Sequence, residues 1–182
     1  MSIEVVAYDR EWPERFLAIR AELMRALGDI PVVAIEHVGS TSVPGLVAKP
    51  VIDIDVIVDR SDVEAAIGAL ERIGYQHRGN LGIPDRHSLA QPGDGTRRNV
   101  YVVVDGALSL RNHLAIRDAL RSDRSLRVRY GALKLRLSSE THDIDTYVAR
   151  KSRLLLGILR DAGFTDDELT AVAKANAPRI VR

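Results

Sequence analysis

The chain has no cysteine, which excludes disulfides, thiolate metal sites and cysteine nucleophiles. Aromatic residues are scarce, with one Trp, five Tyr and two Phe among 182 residues, so a base-stacking surface for nucleic acid has little to be built from. No uncharged run approaches the ~18 apolar residues that a membrane span requires. The first residues, Met1-Ser2-Ile3-Glu4-Val5, form neither a basic nor an apolar export signal, and the expected address is the cytoplasm. Net charge is also nearly absent, 26 Lys and Arg standing against 25 Asp and Glu. What remains is 46% hydrophobic and 28% charged, the composition of a soluble globule and not of a disordered chain. The length suits one compact domain.

The even balance conceals an uneven distribution. Residues 1–96 carry nine basic and fifteen acidic side chains, whereas residues 97–136 carry ten basic and three acidic. A basic band behind an acidic front half suggests an anionic ligand between them, such as phosphate or nucleic acid. With so few aromatics nucleic acid is disfavoured, and a nucleotide or another phosphorylated small molecule is the expected partner. The competing reading places those arginines on solvated helix faces.

Periodicity separates the chain into two parts, a palm-like region over about 1–105 and a helical part over about 106–182. Trp12, Phe16, Ile19, Leu23 and Leu27 recur at helical spacing behind Pro13, which suits a first turn. A buried strand is expected over 32–38. Residues 51–58 alternate on a strand period with acids on one face. A helix should follow, opened by the capping box Ser61-x-x-Glu64 and stopped by Gly74. Short strands are expected over 75–78, near 87–89 and over 100–104. Helices should then run through Leu114 and Leu120, through Leu126, Tyr130 and Leu133, and over about 141–162. The box Thr165-x-x-Glu168 starts a last one. The fold class is α+β, a small mixed sheet flanked by helices with a helical C-terminal part.

The chemistry concentrates in one stretch, His37-Val38-Gly39-Ser40-Thr41-Ser42-Val43-Pro44-Gly45-Leu46, continued by Lys49-Pro50 and by Asp53 and Asp55. Glycine before serine just after a strand lets backbone amides and hydroxyls approach phosphate oxygens. Asp53 and Asp55 lie two apart on a strand, so both carboxylates share a face and repel unless a cation lies between them. Mg²⁺ is the usual partner of carboxylates with phosphate.

These residues resemble a known signature. Val38-Gly39-Ser40, twelve residues, then Asp53-Ile54-Asp55 is similar to the motif of the nucleotidyltransferase superfamily with a polymerase-β-like palm. The chain as a whole resembles the GrpB family, also called UPF0157, found alone or fused behind dephospho-CoA kinase. The resemblance runs from Tyr8 to about Ala173 and includes Trp12-Pro13, Arg117-Asp118, Tyr130-Gly131-Ala132-Leu133-Lys134 and Tyr147-x-x-x-Lys151. It implies metal-dependent nucleotidyl transfer to an unidentified acceptor. Asp53 and Asp55 would be the catalytic metal ligands. Gly39, Ser40, Ser42, Lys49, Arg117 and Lys134 would bind the nucleotide phosphates. The chain departs from the superfamily in one respect, since residues 98–104 offer no third carboxylate and Tyr101 stands near a position where the family pattern has His. Asp118 and, more weakly, Asp105 are candidates for that ligand, although Asp118 could instead pair with Arg117. Without the third acid, a non-catalytic nucleotide- or CoA-phosphate-binding module is the alternative. His37 is expected to brace the loop, and His87 and His113 to be structural.

Overall fold

The computed structural model describes residues 4–93, 95–140 and 144–176. Helix α1 (Trp12–Leu27) leads into β1 (Ala34–Val38), β2 (Ile52–Val58), α2 (Val63–Arg72), β3 (Gln76–His77), β4 (Arg86–Ala90) and β5 (Arg98–Val104). Four helices follow: α3 (Leu108–Ser122), α4 (Arg124–Glu140), α5 (Ile144–Asp161) and α6 (Asp166–Ala175). Among the described residues no helix is long and apolar enough to cross a membrane.

The strands form one mixed sheet in the order β1-β2-β5-β4-β3, with β2 parallel to β5 and the other pairs antiparallel. The two parallel strands occupy the centre because they are the most apolar, and parallel strands are normally covered on both faces. Ile52, Ile54, Val56 and Val58 of β2 and Val100 and Val102 of β5 are all at most 1% exposed. They share a core with Trp12, Ile19, Leu23 and Leu27 of α1 and with Ile67 and Leu70 of α2. Helix α3 packs against β1 and β5, and a second core of Val43, Leu46, Leu120, Tyr130 and Leu155 joins the 39–46 loop to the helical part.

Register determines what meets at the functional end. Asp53 stands opposite Val38 on one side and Asn99 on the other, and Asp55 opposite Glu36 and Tyr101. Paired residues share a sheet face, so the two acids, Asn99 and Tyr101 are neighbours.

Two local expectations are corrected. Val33 is 55% exposed and β1 begins at Ala34, because the chain reaches the sheet two residues later than its apolar run suggests. The Ser61 box does not form. Residues Arg60–Asp62 make a 3-10 turn ahead of α2, and the Ser61 hydroxyl donates to Asp62 at 3.3 Å. The Thr165 box does form: Glu168 N–H donates to Thr165 Oγ1 at 3.3 Å and Thr165 N–H to the Glu168 carboxylate at 2.9 Å. Thr165→Ala should lower stability by about 1 kcal/mol, measured as a shift of the urea midpoint at unchanged slope.

Candidate functional site

The loop after β1 is shaped by hydrogen bonds inside it. Gly39 has φ +70°, and a Cβ built on it would lie 2.2 Å from Asp53 Oδ2. Only glycine fits, for backbone and for space. The Ser42 hydroxyl donates to the Gly39 carbonyl at 2.6 Å, and Thr41 Oγ1 donates to the Val51 carbonyl at 3.1 Å. The Thr41 oxygen is left to accept from His37 Nε2 at 3.0 Å. Burial, then the charges of Arg121 and Arg117, lower the His37 pKa to about 4. The neutral ring stacks on Phe16 with centroids 4.8 Å apart and braces the loop as expected.

Asp53 Oδ1 accepts from the Asn99 amide at 2.7 Å. Burial pushes the Asp53 carboxyl up, opposed by the Asn99 hydrogen bond and by His113. Asp55 is fully buried, with Oδ2 2.7 Å from His113 Nδ1, and its Oδ1 is buried without a hydrogen-bond partner among the described residues. Burial disfavours a charged His113, but the Asp55 carboxylate outweighs it and raises the imidazole pKa. His113 is therefore part of the site, not a separate structural residue. His113→Leu strands a buried carboxylate and should cost about 3 kcal/mol of stability, measured by urea denaturation. Asp55→Asn in the same background should recover part of that loss.

Beside Asp53 lies a pocket of about 210 Å³ lined by Ser40, Lys49, Lys134, Tyr147 and Lys151. Burial and the charge of Lys151 lower the Lys134 pKa to about 7, and its Nζ donates to the Val47 carbonyl at 2.6 Å. Burial lowers Lys151 as well, with Asp53 opposing. Lys49 is lowered by burial, Lys151 and Arg97. The ammonium groups of Lys49 and Lys151 lie 4.8 and 5.5 Å from the Tyr147 ring centroid, and the buried Tyr147 hydroxyl has no partner among the described residues. Three lysines, of which Lys151 depresses the other two, and one carboxylate form a site short of negative charge. A wider cleft of about 390 Å³ adjoins it, lined by Gly39, Ser40, Asp53, Tyr101, Arg117 and Tyr130 among others.

Gly39, Ser40, Lys49, Asp53 and Lys134 therefore meet in one place, and Asp55 lies beneath it. Ser42 does not join them. Its hydroxyl is spent within the loop and its carbonyl accepts from Arg121 at 3.0 and 2.9 Å, at a separate groove with Phe16, Arg117 and Arg127. Arg117 lines the cleft, but its guanidinium is held by Glu36 and by Asp118 at 2.8 Å. Asp118 is thus the ion-pair partner, not a third ligand, and Asp105 is exposed beyond β5. Much of the basic band is structural: Arg98 bridges to Glu22 at 2.9 Å, Arg111 pairs with Glu168, and Arg127 donates to the Leu120 carbonyl at 2.9 Å. Among the described residues no three His, Asp or Glu side chains converge on a metal position. Sequence reasoning missed Asn99 and the Tyr147 hydroxyl. Asn99 carried a weak signal, a polar residue beginning a strand of valines. His113 carried none, since its partner lies 58 positions away.

A profile described as "GrpB protein" matches residues 2–161. The chain belongs to the GrpB family. A UPF0157 protein of Streptomyces coelicolor is 36% identical over 165 residues, 90% of this chain and 86% of that one. One from Halalkalibacterium halodurans is 35% identical over 168 residues, 90% and 84% of the two chains. The crystal structure of GrpB from Enterococcus faecalis superposes with a TM-score of 0.76 at 32% identity, covering 87% of this chain and 99% of that one. The GrpB fold also resembles that of the Cid1 poly(U) polymerase, solved as an H336N mutant bound to MgATP. There the TM-score is 0.51 at 17% identity, over 72% of this chain and 42% of that one. At this identity the likeness is one of fold.

Proposed function

We propose that this GrpB protein binds a nucleoside triphosphate and transfers its nucleotidyl group to an acceptor. The observation that carries the reading is the contact between Gly39 and Asp53 beside the three lysines. It leaves backbone amides, the Asp53 carboxylate and cations around one space the size of a phosphate tail. Ser40 and the amides near Gly39 would hold phosphate oxygens, while Lys49, Lys134 and Lys151 neutralise the end of the tail.

The residues fit one Mg²⁺. Asp55 Oδ1 is buried with no hydrogen-bond partner among the described residues, Asp53 shares its sheet face, and Mg²⁺ commonly uses one or two carboxylates with phosphates and water. When bound, it would neutralise charge developing on the phosphates. His113 fixes the Asp55 carboxylate, and Asn99 fixes that of Asp53. Both acids are thereby held before any ligand arrives, a form of preorganisation.

A second reading, a nucleotide- or CoA-phosphate-binding module without catalysis, is favoured by Asn99 and Tyr101 standing where a third acid would complete a two-metal site. Pyrophosphate release from ATP separates the two. Binding should depend on Mg²⁺ under either reading. Asp53→Asn with Asp55→Asn should remove that dependence, a coupling of about 1–3 kcal/mol, while the protein stays folded. Equal affinity with Mg²⁺ and with EDTA in the wild type contradicts the metal site.

A further inference from the structure

The groove that borders Ser42 has a chemistry of its own. It holds about 590 Å³, a small-molecule volume, between α1, the loop after β1, the end of α3 and the start of α4. Pro13, Phe16 and Leu17 of α1 and Pro44 of the loop form its apolar part, and all four are exposed or half-buried. Its polar part is Arg117, Arg121 and Arg127, none of them buried. Arg121 uses Nε and Nη2 on the Ser42 carbonyl, and Arg127 uses Nη1 on the Leu120 and Arg121 carbonyls. Nη1 of Arg121 and Nε and Nη2 of Arg127 are left without a hydrogen bond among the described residues. Carbonyl oxygens orient a guanidinium but do not cancel its charge. The two acids of this neighbourhood, Glu36 and Asp118, both pair with Arg117, so three guanidiniums face two carboxylates and one positive charge is in excess. The excess acts on its neighbours: beyond burial, Arg121 and Arg117 hold the His37 pKa low, and Arg117 lowers that of Arg121. The groove thus sets one uncompensated charge, with N–H groups to spare, beside an open apolar surface. A phosphate dianion would overshoot that balance, whereas a carboxylate matches it and suits the planar guanidinium fork.

We propose that this groove is a second ligand site, one that binds a small monocarboxylate with an apolar or aromatic body. The carboxylate accepts from the spare N–H groups of Arg121 and Arg127, and the body lies along Phe16, Leu17 and Pro44. The site is distinct from the nucleotide cleft but shares a loop with it. Arg121 fastens that loop through the Ser42 carbonyl, and Gly39 and Ser40 of the same loop line the cleft. The inference stands apart from the nucleotidyltransferase reading and does not require it.

The test uses 2-naphthylacetate, its uncharged analogue 2-naphthylacetamide, and acetate. Each is titrated into the full chain and followed by backbone amide NMR. Naphthylacetate should bind at millimolar concentration or tighter, shifting the amides of Phe16, Leu17, Ser42 and Arg121. The amide and acetate each lack one half of the recognition and should bind at least tenfold more weakly. Arg121→Gln with Arg127→Gln should bring naphthylacetate down to the affinity of the amide and leave the amide unchanged, folding being checked by the urea midpoint. Leu17→Glu, at an exposed position, puts a negative charge in the groove and should weaken naphthylacetate about tenfold. Equal binding of naphthylacetate and its amide, shifts confined to other parts of the protein, or no binding overturns the inference. Tighter binding of 2-naphthylmethyl phosphate at the same amides overturns the choice of a monocarboxylate. Saturating MgATP should leave naphthylacetate in place. Competitive displacement by MgATP would give the groove to nucleotide phosphates, overturning this inference and the placement of the tail among the lysines together.

Discussion

Gly39→Ala should reduce nucleotide affinity at least 100-fold. An added Cβ meets Asp53 Oδ2 at 2.2 Å, and Asp53 cannot retreat while the Asn99 amide holds its other oxygen at 2.7 Å. The backbone at φ +70° and ψ −170° is essentially reserved for glycine and adds roughly 1–3 kcal/mol of strain for any residue with a side chain. Either Asp53 leaves its position or the loop does, and both break the phosphate site. Loss of up to about 3 kcal/mol in stability should accompany the change. Calorimetric titration with MgATP and urea unfolding of the same sample measure the two effects. Gly45→Ala is the control: its φ is also positive, at +78°, but nothing lies within 4 Å of the added atom. It should strain the backbone and leave the nucleotide site intact.

The second large effect is one of pH. Lys134 has a pKa lowered to about 7, facing Lys151, Asp53 and Lys49. In the unfolded chain it titrates at the ordinary lysine value, so between pH 7 and 10.5 the unfolded state binds more protons and this group makes stability rise with pH. A triphosphate tail reverses the preference, because the ammonium gains an anionic partner. Binding above pH 7 must then take up a proton, and MgATP affinity should fall by about tenfold per pH unit between 7 and 9. Calorimetry in buffers of different ionisation enthalpy measures the uptake directly. Lys134→Met keeps the volume, removes the proton and should flatten the profile, with affinity about tenfold lower at pH 7. A wild-type affinity independent of pH over that range contradicts a role for Lys134 on the phosphates.

The core elements were legible because their patterns are local. The helical spacing of Trp12 to Leu27, the valine run of β5 and the Thr165 box each carry their signal within one element. Ser61 misled because its box lies in a 3-10 turn, whose geometry depends on how β2 hands the chain to α2. The Gly-Ser loop and the paired acids were equally visible, since glycine, serine and two aspartates at strand spacing are all near in sequence. The rest of the site comes from tertiary pairing. Asn99 reaches Asp53 through sheet register, and His113 reaches Asp55 from a helix. Arg117 and Lys134 look alike as basic helix residues. Only the fold distinguishes a guanidinium held by Glu36 and Asp118 from an ammonium buried beside Asp53.

On the proposed reading one nucleotide lies with its phosphates between the Gly39 loop and the lysines, sharing one divalent ion with Asp53 and Asp55. A crystal structure with a non-hydrolysable ATP analogue and Mn²⁺ tests it most directly, since Mn²⁺ gives an anomalous signal. A peak is expected between the two carboxylates, with the terminal phosphate among Lys49, Lys134 and Lys151. Phosphates in the groove of Arg117, Arg121 and Arg127, or no anomalous peak beside Asp53, would contradict it.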